Sequence, residues 1–309
     1  MGTENLLRHA VLAAAGNKTL RTVFEKYGMK FGVSRFVAAE HLEGALDVVD
    51  AMNRRGLAAT LEFLGESVAD RREAEEAAAE ASRALRRIAE RRIDANVSVK
   101  LTQLGLNIDP KFCAELLASI LREAERTDNF VRIDMEDSSV TQLTLDIFET
   151  MLAKFGKERV GAVLQSYLYR SEADQKRFGA LGANLRIVKG AYREPREIAY
   201  PKKSDVDAAY IRLVERHLLD GAYTAVATHD ERIIGEIVRF AREHGIPRER
   251  FEFQMLYGIA SSLQLRLVRE GWRVRVYTPY GKAWYPYFTR RIAERPANLW
   301  FVAKGLFRR

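Results

Sequence analysis

Eight apolar runs rich in Val, Ile and Phe recur through this chain, each ending in a polar or glycine-containing turn and each followed by a segment of helical spacing. They are Ala58 to Glu66, Asn96 to Gly105, Phe130 to Glu136, Val160 to Leu168, Asn184 to Tyr192, Ala225 to Asp230, Phe251 to Leu256 and Arg273 to Gly281. Their starts lie about 22 to 41 residues apart, the length that a parallel strand plus a crossover helix requires. Eight βα units in succession predict an α/β fold, a closed (βα)8 barrel of the TIM type, with an open doubly wound sheet as the competing architecture.

The segments between the runs carry helix signals. Ser67 to Ile93 is rich in Ala, Glu and Arg with Val68, Leu85 and Ile88 toward one side, and Pro110 opens the next helix where its missing N–H costs little. Asp205 to Leu219 and Asp230 to His244 follow the same plan, the second stopped by Gly245 and Pro247. Leu6, Val11, Leu46 and Val49 make residues 1–57 a helical arm ahead of a catalytic barrel over residues 58–309, with no Pro/Gly/Ser-rich linker between them.

At 309 residues, 47% hydrophobic and 30% charged, the chain has material for a large core, which excludes disordered and collagen-like classes. Cys113 is the single cysteine, so no intrachain disulfide or cysteine-based zinc cluster can form, and a reducing, cytoplasmic setting is expected. The run Leu6 to Ala15 is interrupted by Arg8 and His9, so a cleaved signal is the weaker reading. No stretch approaches the roughly 18 consecutive apolar residues of a spanning helix. Residues 265–309 hold eleven Lys and Arg against two acids, a net of +9 in a chain of net +8. A solvated helix face is the plain account of that surplus; an anion pocket or contact with an acidic membrane surface is the sharper one. No nucleic-acid motif accompanies the charge.

In a barrel of this kind chemistry gathers at the C-terminal strand ends. Those ends offer Lys100, Asp134, Glu136, Gln165, Lys189, Thr228, His229, Asp230, Gln254 and Tyr277. There is no GxGxxG fingerprint, P-loop, GxSxG elbow or HExxH, which weakens Rossmann dehydrogenase, ATPase, hydrolase and zincin readings. No metal site is expected: His229 beside Asp230 reads as a local hydrogen-bonding histidine. Lys100 and Asp134, on neighbouring strands at similar depth, are placed to pair across the mouth, as a functional or a merely structural ion pair. A Schiff-base lyase using Lys100 or Lys189 on a small carboxylate is the alternative that such a lysine leaves open. After the eighth run, Arg290 and Arg291 sit about 100° apart on a helix and can converge on one carboxylate, with Glu294 four residues on from Arg290. Tyr277, Tyr285 and Tyr287 are the aromatic neighbours expected to line that pocket.

The segments LQSYLYRS (164–171), VKGAYREP (188–195), VATHDERI (226–233), FEFQMLYG (251–258), RVYTPYG (275–281) and YFTRRIAERP (287–296) resemble, in this order, the proline dehydrogenase family, and in particular its small monofunctional bacterial enzymes. The resemblance implies a distorted (βα)8 barrel that binds FAD, with a C-terminal helix over the active site. It implies oxidation of L-proline to Δ1-pyrroline-5-carboxylate by hydride transfer from ring carbon C5 to flavin N5, electrons then passing to a membrane quinone. Pyrroline-5-carboxylate dehydrogenase, which oxidises the product to glutamate, is the implied transient partner. The implied location is cytoplasmic, with at most peripheral contact at the inner face of the cell membrane.

Carried over residue by residue, the resemblance puts Arg290 and Arg291 on the proline carboxylate, Glu294 in support of them, and Tyr277 and Leu256 around the pyrrolidine ring. Lys100 and Asp134 match the family's strand-end pair beside substrate and flavin. Met135, Gln165, Arg186, Val188, Lys189, Gly190, Ala191, Thr228 and His229 fall at the cofactor, with Arg186 near N5, where a guanidinium stabilises charge gained on reduction. Lys100, Asp134 and Arg186 are thus the catalytic candidates. Proline must lose its ammonium proton before hydride leaves, so activity is expected to fall in acid. Trp300 to Arg309 reads as a final amphipathic helix packed on the barrel.

Overall fold

A computed structural model describes residues 33–65 and 68–294, with every side chain among them except those of residues 290 and 292–294. Each of the eight apolar runs forms a strand: β1 (Ala58–Phe63), β2 (Ala95–Val99), β3 (Val131–Ile133), β4 (Val160–Gln165), β5 (Asn184–Val188), β6 (Thr224–Ala227), β7 (Phe251–Leu256) and β8 (Val274–Tyr280). They pair in parallel and in sequence order, and β8 returns to β1 with Tyr277 opposite Thr60, closing the barrel. The open-sheet alternative is excluded by that last pairing. All the strands but β7 stop sooner than their apolar runs: after Val99 the chain winds through turns over residues 101–108, where Thr102 gives both its N–H and its hydroxyl to Glu136 at the end of the neighbouring run.

The helices are α1 (Leu42–Asn53), α2 (Arg71–Arg91), α3 (Pro110–Arg126), α4 (Ser138–Phe155), α5 (Ser171–Ala180), α6 (Lys203–Leu219), α7 (Glu231–Glu243), α8 (Ser261–Arg269) and α9 (Tyr285–Glu294). Four of them open on an aspartate, at Asp70, Asp109, Asp137 and Asp230, whose carboxylate accepts first-turn N–H groups that would otherwise lack partners. This is why α2 begins at Arg71, leaving Val68 ahead of it, and why α7 begins one residue after Asp230. Helix α1 packs against β1 and β8, and Leu42, Leu46 and Val49 join the main core. Leu6 and Val11 of the arm, and Trp300 to Arg309, lie outside the described residues. Among the described residues no helix is long and apolar enough to cross a membrane.

Successive residues of a strand face opposite ways, and here the outward set is the apolar one. Val131, Ile133, Phe251, Phe253, Val274 and Val276 are buried in the main core with the helices. The intervening Arg132, Asp134, Glu252, Gln254, Arg275 and Tyr277 face the barrel interior with Glu62, Ser98 and Arg186, in place of the branched apolar layers usual in such barrels. Arg132, 2% exposed, donates to Ala162 O at 3.0 Å and Asn184 O at 2.7 Å, and its guanidinium lies 4.7 Å from the Phe130 ring. Gly161 makes this possible, because a Cβ there would fall 2.5 Å from Arg132 Nη1 and 2.4 Å from the Asn184 carbonyl oxygen.

A smaller apolar cluster caps one side of the barrel mouth: Val33, Phe36 and Val37 pack with Leu64, Trp284, Tyr285, Tyr287 and Phe288. It seats α9 against the N-terminal segment, and Ala38 N–H reaches Pro279 O at 2.9 Å.

One buried histidine makes stability pH-dependent. His217 is fully buried, with Nε2 3.1 Å from Ala183 O and Nδ1 3.4 Å from Gln175 Nε2, a pairing that suits the neutral ring. Burial pushes its pKa down to about 4. Between about pH 6.5 and 4 the unfolded chain therefore binds a proton that the native state refuses, so stability falls as pH falls. The expected loss from this group is roughly 2 kcal/mol between pH 7 and 5. Urea denaturation of wild type and His217→Gln at both pH values checks it; equal pH dependence in the two proteins would remove His217 as the source.

Candidate active site

The C-terminal strand ends surround a cleft of about 560 Å³, with α9 over it contributing Tyr287 and Arg291. Its floor is a chain of ionised and hydrogen-bonded groups. Asp134 Oδ1 accepts Arg186 Nη1 at 2.7 Å, and Asp134 Oδ2 accepts the Tyr277 hydroxyl at 2.6 Å. Lys100 Nζ lies 3.7 Å from Asp134 Oδ2 and is more closely paired with Glu62. Burial opposes ionisation of Asp134, but Arg186 and Lys100, with hydrogen bonds from Ser98 and Tyr277, hold its carboxyl below its ordinary value. Burial, and then the Asp134 charge, push the Tyr277 phenol well upward, so it remains a donor. The Arg186 guanidinium also lies 5.2 Å from the Tyr277 ring.

Below Arg186 the chain continues. Arg186 Nε donates to Gln254 Oε1 at 2.6 Å, Gln254 Nε2 donates to Glu252 Oε1 at 2.6 Å, and Glu252 accepts Arg275 Nε at 2.8 Å. Burial works against the Glu252 charge, but Arg275, Gln254 and Arg273 bring its pKa down to about 2. Arg186 Nη2 is buried and has no hydrogen-bond partner among the described residues.

Around the rim, Lys189 Nζ sits 2.6 Å from Asp207 Oδ1 and 3.3 Å from Asp230 Oδ2. His229 Nε2 accepts the Leu256 N–H at 2.9 Å, and Asp230 accepts the Arg232 and Ile233 N–H groups, so both residues are engaged locally. Gln165 bridges two loops, donating to Glu136 O at 2.8 Å and accepting Ala191 N–H at 3.4 Å. Gly190 has φ +127°, and a Cβ there would strike the Tyr167 ring at 2.3 Å, so this strand end requires glycine.

The cleft brings together nearly all the residues singled out in the sequence: Lys100, Asp134, Met135, Gln165, Arg186, Val188, Lys189, Gly190, Ala191, Thr228, His229, Leu256, Tyr277 and Arg291 all line it. Arg290 and Glu294 lie on α9, but their side chains fall outside the described residues. Tyr285 does not line the cleft as expected; it packs in the small apolar cluster, whereas Tyr287, a member of that cluster too, and Arg291 one turn further on also line the cleft. Lys100 has a nearer partner than the anticipated Asp134. That partner, Glu62, went unnoticed; standing two residues after Thr60 in the run AATLEF, it shares a strand face with Thr60, and the sequence does not say which way that face turns. Gln254 and Asp230 were singled out as polar strand ends and given no role in the site. Both line the cleft, and Asp230 is also the N-cap of α7.

A closed parallel barrel whose C-terminal mouth brings together the buried carboxylates Glu62 and Asp134, the guanidinium groups of Arg186 and Arg291 and the lysines Lys100 and Lys189 defines a (βα)8-barrel enzyme. The chain belongs to the proline dehydrogenase family, whose model, described as Proline dehydrogenase, matches residues 45–304. It is 45% identical to Proline dehydrogenase 1 of Bacillus subtilis subsp. natto over 98% of this chain and 100% of that one. It is 44% identical to the Proline dehydrogenase of Deinococcus radiodurans over 99% of each. Among solved structures, proline utilization A (PutA) from Bdellovibrio bacteriovorus inactivated by N-propargylglycine matches with a TM-score of 0.80 at 27% identity, over 88% of this chain. This chain covers 34% of that longer protein.

Proposed function

We propose that this chain oxidises L-proline to Δ1-pyrroline-5-carboxylate with FAD as its hydride acceptor and passes the electrons to a membrane quinone. Within the family frame, the observation that carries the reading is Arg186: a buried, donor-only guanidinium, held at Nε and Nη1, with Nη2 lacking a partner among the described residues. A group with acceptor atoms would satisfy it, and the flavin ring system has them. The apolar walls from Met135, Val163, Val188 and Met255 suit a flat heteroaromatic ring, and Gly190 and Ala191 leave the backbone approachable. Bound FAD would supply two-electron oxidation, which no side chain of this set provides.

The chain's own residues then divide the remaining work. Arg291 on α9 meets the substrate carboxylate from above. Tyr277, its hydroxyl tied to Asp134 and its ring resting on Arg186, and Leu256 give the pyrrolidine ring its walls. Asp134 stays ionised and balances Arg186 and Lys100, so the site does not accumulate uncompensated positive charge before substrate arrives. The Schiff-base alternative needs a neutral lysine amine; Lys100 is paired with Glu62 and Lys189 with Asp207, arrangements that suit ammonium groups. The product's onward oxidation would belong to pyrroline-5-carboxylate dehydrogenase, and delivery of electrons to a membrane quinone would call for no more than peripheral contact of a cytoplasmic enzyme with the inner face of the cell membrane.

The test is the visible absorption spectrum of the purified protein, before and after anaerobic addition of L-proline. A flavin band that bleaches on addition is expected. A protein that stays colourless after FAD is supplied, or yellow but unresponsive to proline, would overturn the reading.

A further inference from the structure

We propose that Gln254 and Glu252 are positioning residues that aim the Arg186 guanidinium at the cofactor; this rests on the FAD reading above. The argument is one of hydrogen-bond direction. A glutamine amide presents an acceptor oxygen on one side and a two-donor nitrogen on the other, and either orientation fits the same space. Arg186 Nε can only donate, so Gln254 must turn its oxygen upward; the reverse orientation would set donor against donor. The ionised carboxylate of Glu252 can only accept, so it holds the Gln254 nitrogen downward. Arg275 and Arg273 bind that carboxylate from the far side, at 2.8 and 3.2 Å.

Arg186, Gln254, Glu252 and Arg275 are all buried, on inward positions of β5, β7 and β8, so the direction is set without competition from water. With Nε fixed by Gln254 and Nη1 by Asp134, the guanidinium plane is fixed, and Nη2 is the one nitrogen of the group left without a partner among the described residues. Neither Glu252 nor Arg275 reaches substrate. Their effect passes through Arg186, and it bears on how well charge gained by the flavin is stabilised, not on how proline is gripped.

Gln254→Leu keeps the volume and removes the directional bond. In the holoenzyme it should lower kcat tenfold or more while the KM for proline stays within about twofold, because the carboxylate contact on α9 is untouched. Its two-electron flavin midpoint should fall by about 30 mV for each tenfold loss in stabilisation of the reduced form. Gln254→Met, which keeps the length with only a weak acceptor, should shift the midpoint in the same direction and serves if the leucine variant does not fold. A wild type that bleaches with proline, alongside variants whose midpoint and kcat are unchanged, overturns the positioning role alone. A rise in KM with kcat and midpoint preserved overturns it too. A wild type that does not bleach overturns the FAD reading first, and this inference with it.

Discussion

Arg291→Met should raise the KM for L-proline by about 100-fold or more, with kcat changed far less and flavin content unchanged; truncating one partner of a buried, hydrogen-bonded charge pair costs on the order of 2–5 kcal/mol. Arg291 reaches the cleft from α9, its guanidinium 5.4 Å from the Tyr287 ring, which shields the charge on one side and restricts where it can point. The contact proposed for it is to a carboxylate that takes no part in the chemistry. It binds ground state and transition state alike, so its loss appears in KM. Steady-state kinetics with proline, beside the ratio of flavin to protein absorbance, check this. An unchanged KM would remove Arg291 from carboxylate recognition, and a loss of flavin would assign it to the cofactor.

Glu252→Gln should destabilise the fold by about 3–5 kcal/mol, the usual cost of leaving one half of a buried ion pair uncompensated. Glu252 is 2% exposed and is the only carboxylate that Arg275 meets below 3.5 Å among the described residues; Asp94 is the next, at 3.7 Å. Replacing the carboxylate by a neutral amide leaves Arg275 charged in the barrel interior, where Arg132 and Arg186 already lie. Denaturant unfolding should show a lower midpoint at unchanged slope. The pH dependence carries a second signature. Because the folded-state pKa is depressed to about 2, the stabilisation from Glu252 is full above its ordinary value of 4.5 and is lost as pH falls from there toward 2. The variant should lack that acid-side loss, and equal stability of the two proteins at neutral pH would show that the column is compensated elsewhere.

Much of the site was legible because its residues stand at the ends of apolar strands, where a polar side chain has little reason to be. Lys100, Asp134, Gln165, Lys189, Thr228 and Tyr277 announce themselves that way, and motifs such as VKGAYREP and YFTRRIAERP carry the family resemblance. The column Asp134–Arg186–Gln254–Glu252–Arg275 was not legible. Alternation shows that Glu252 and Gln254 share a face of β7, but apolar and charged faces alone do not say which of them is turned to the barrel axis. The usual rule would have put the charges outside. They are inside because the outward residues of the strands pack into the main core with the helices, and that face needs the apolar side chains more.

The sequence by itself determined that eight strands alternate with helices, where most helices start, and which residue types gather at one end of the strands. These are local matters of spacing, capping and turn chemistry, and each is written within some twenty neighbouring residues. Closure decided the rest. Pairing β8 with β1 brings Tyr277 to Asp134, 143 positions apart, and the β1–β2 register brings Glu62 to Lys100. It also stacks charges from β3, β5, β7 and β8 into one buried column. Such contacts depend on strand register around a ring, which strand patterns alone do not encode; the low dielectric inside the ring then makes each of them strong enough to matter.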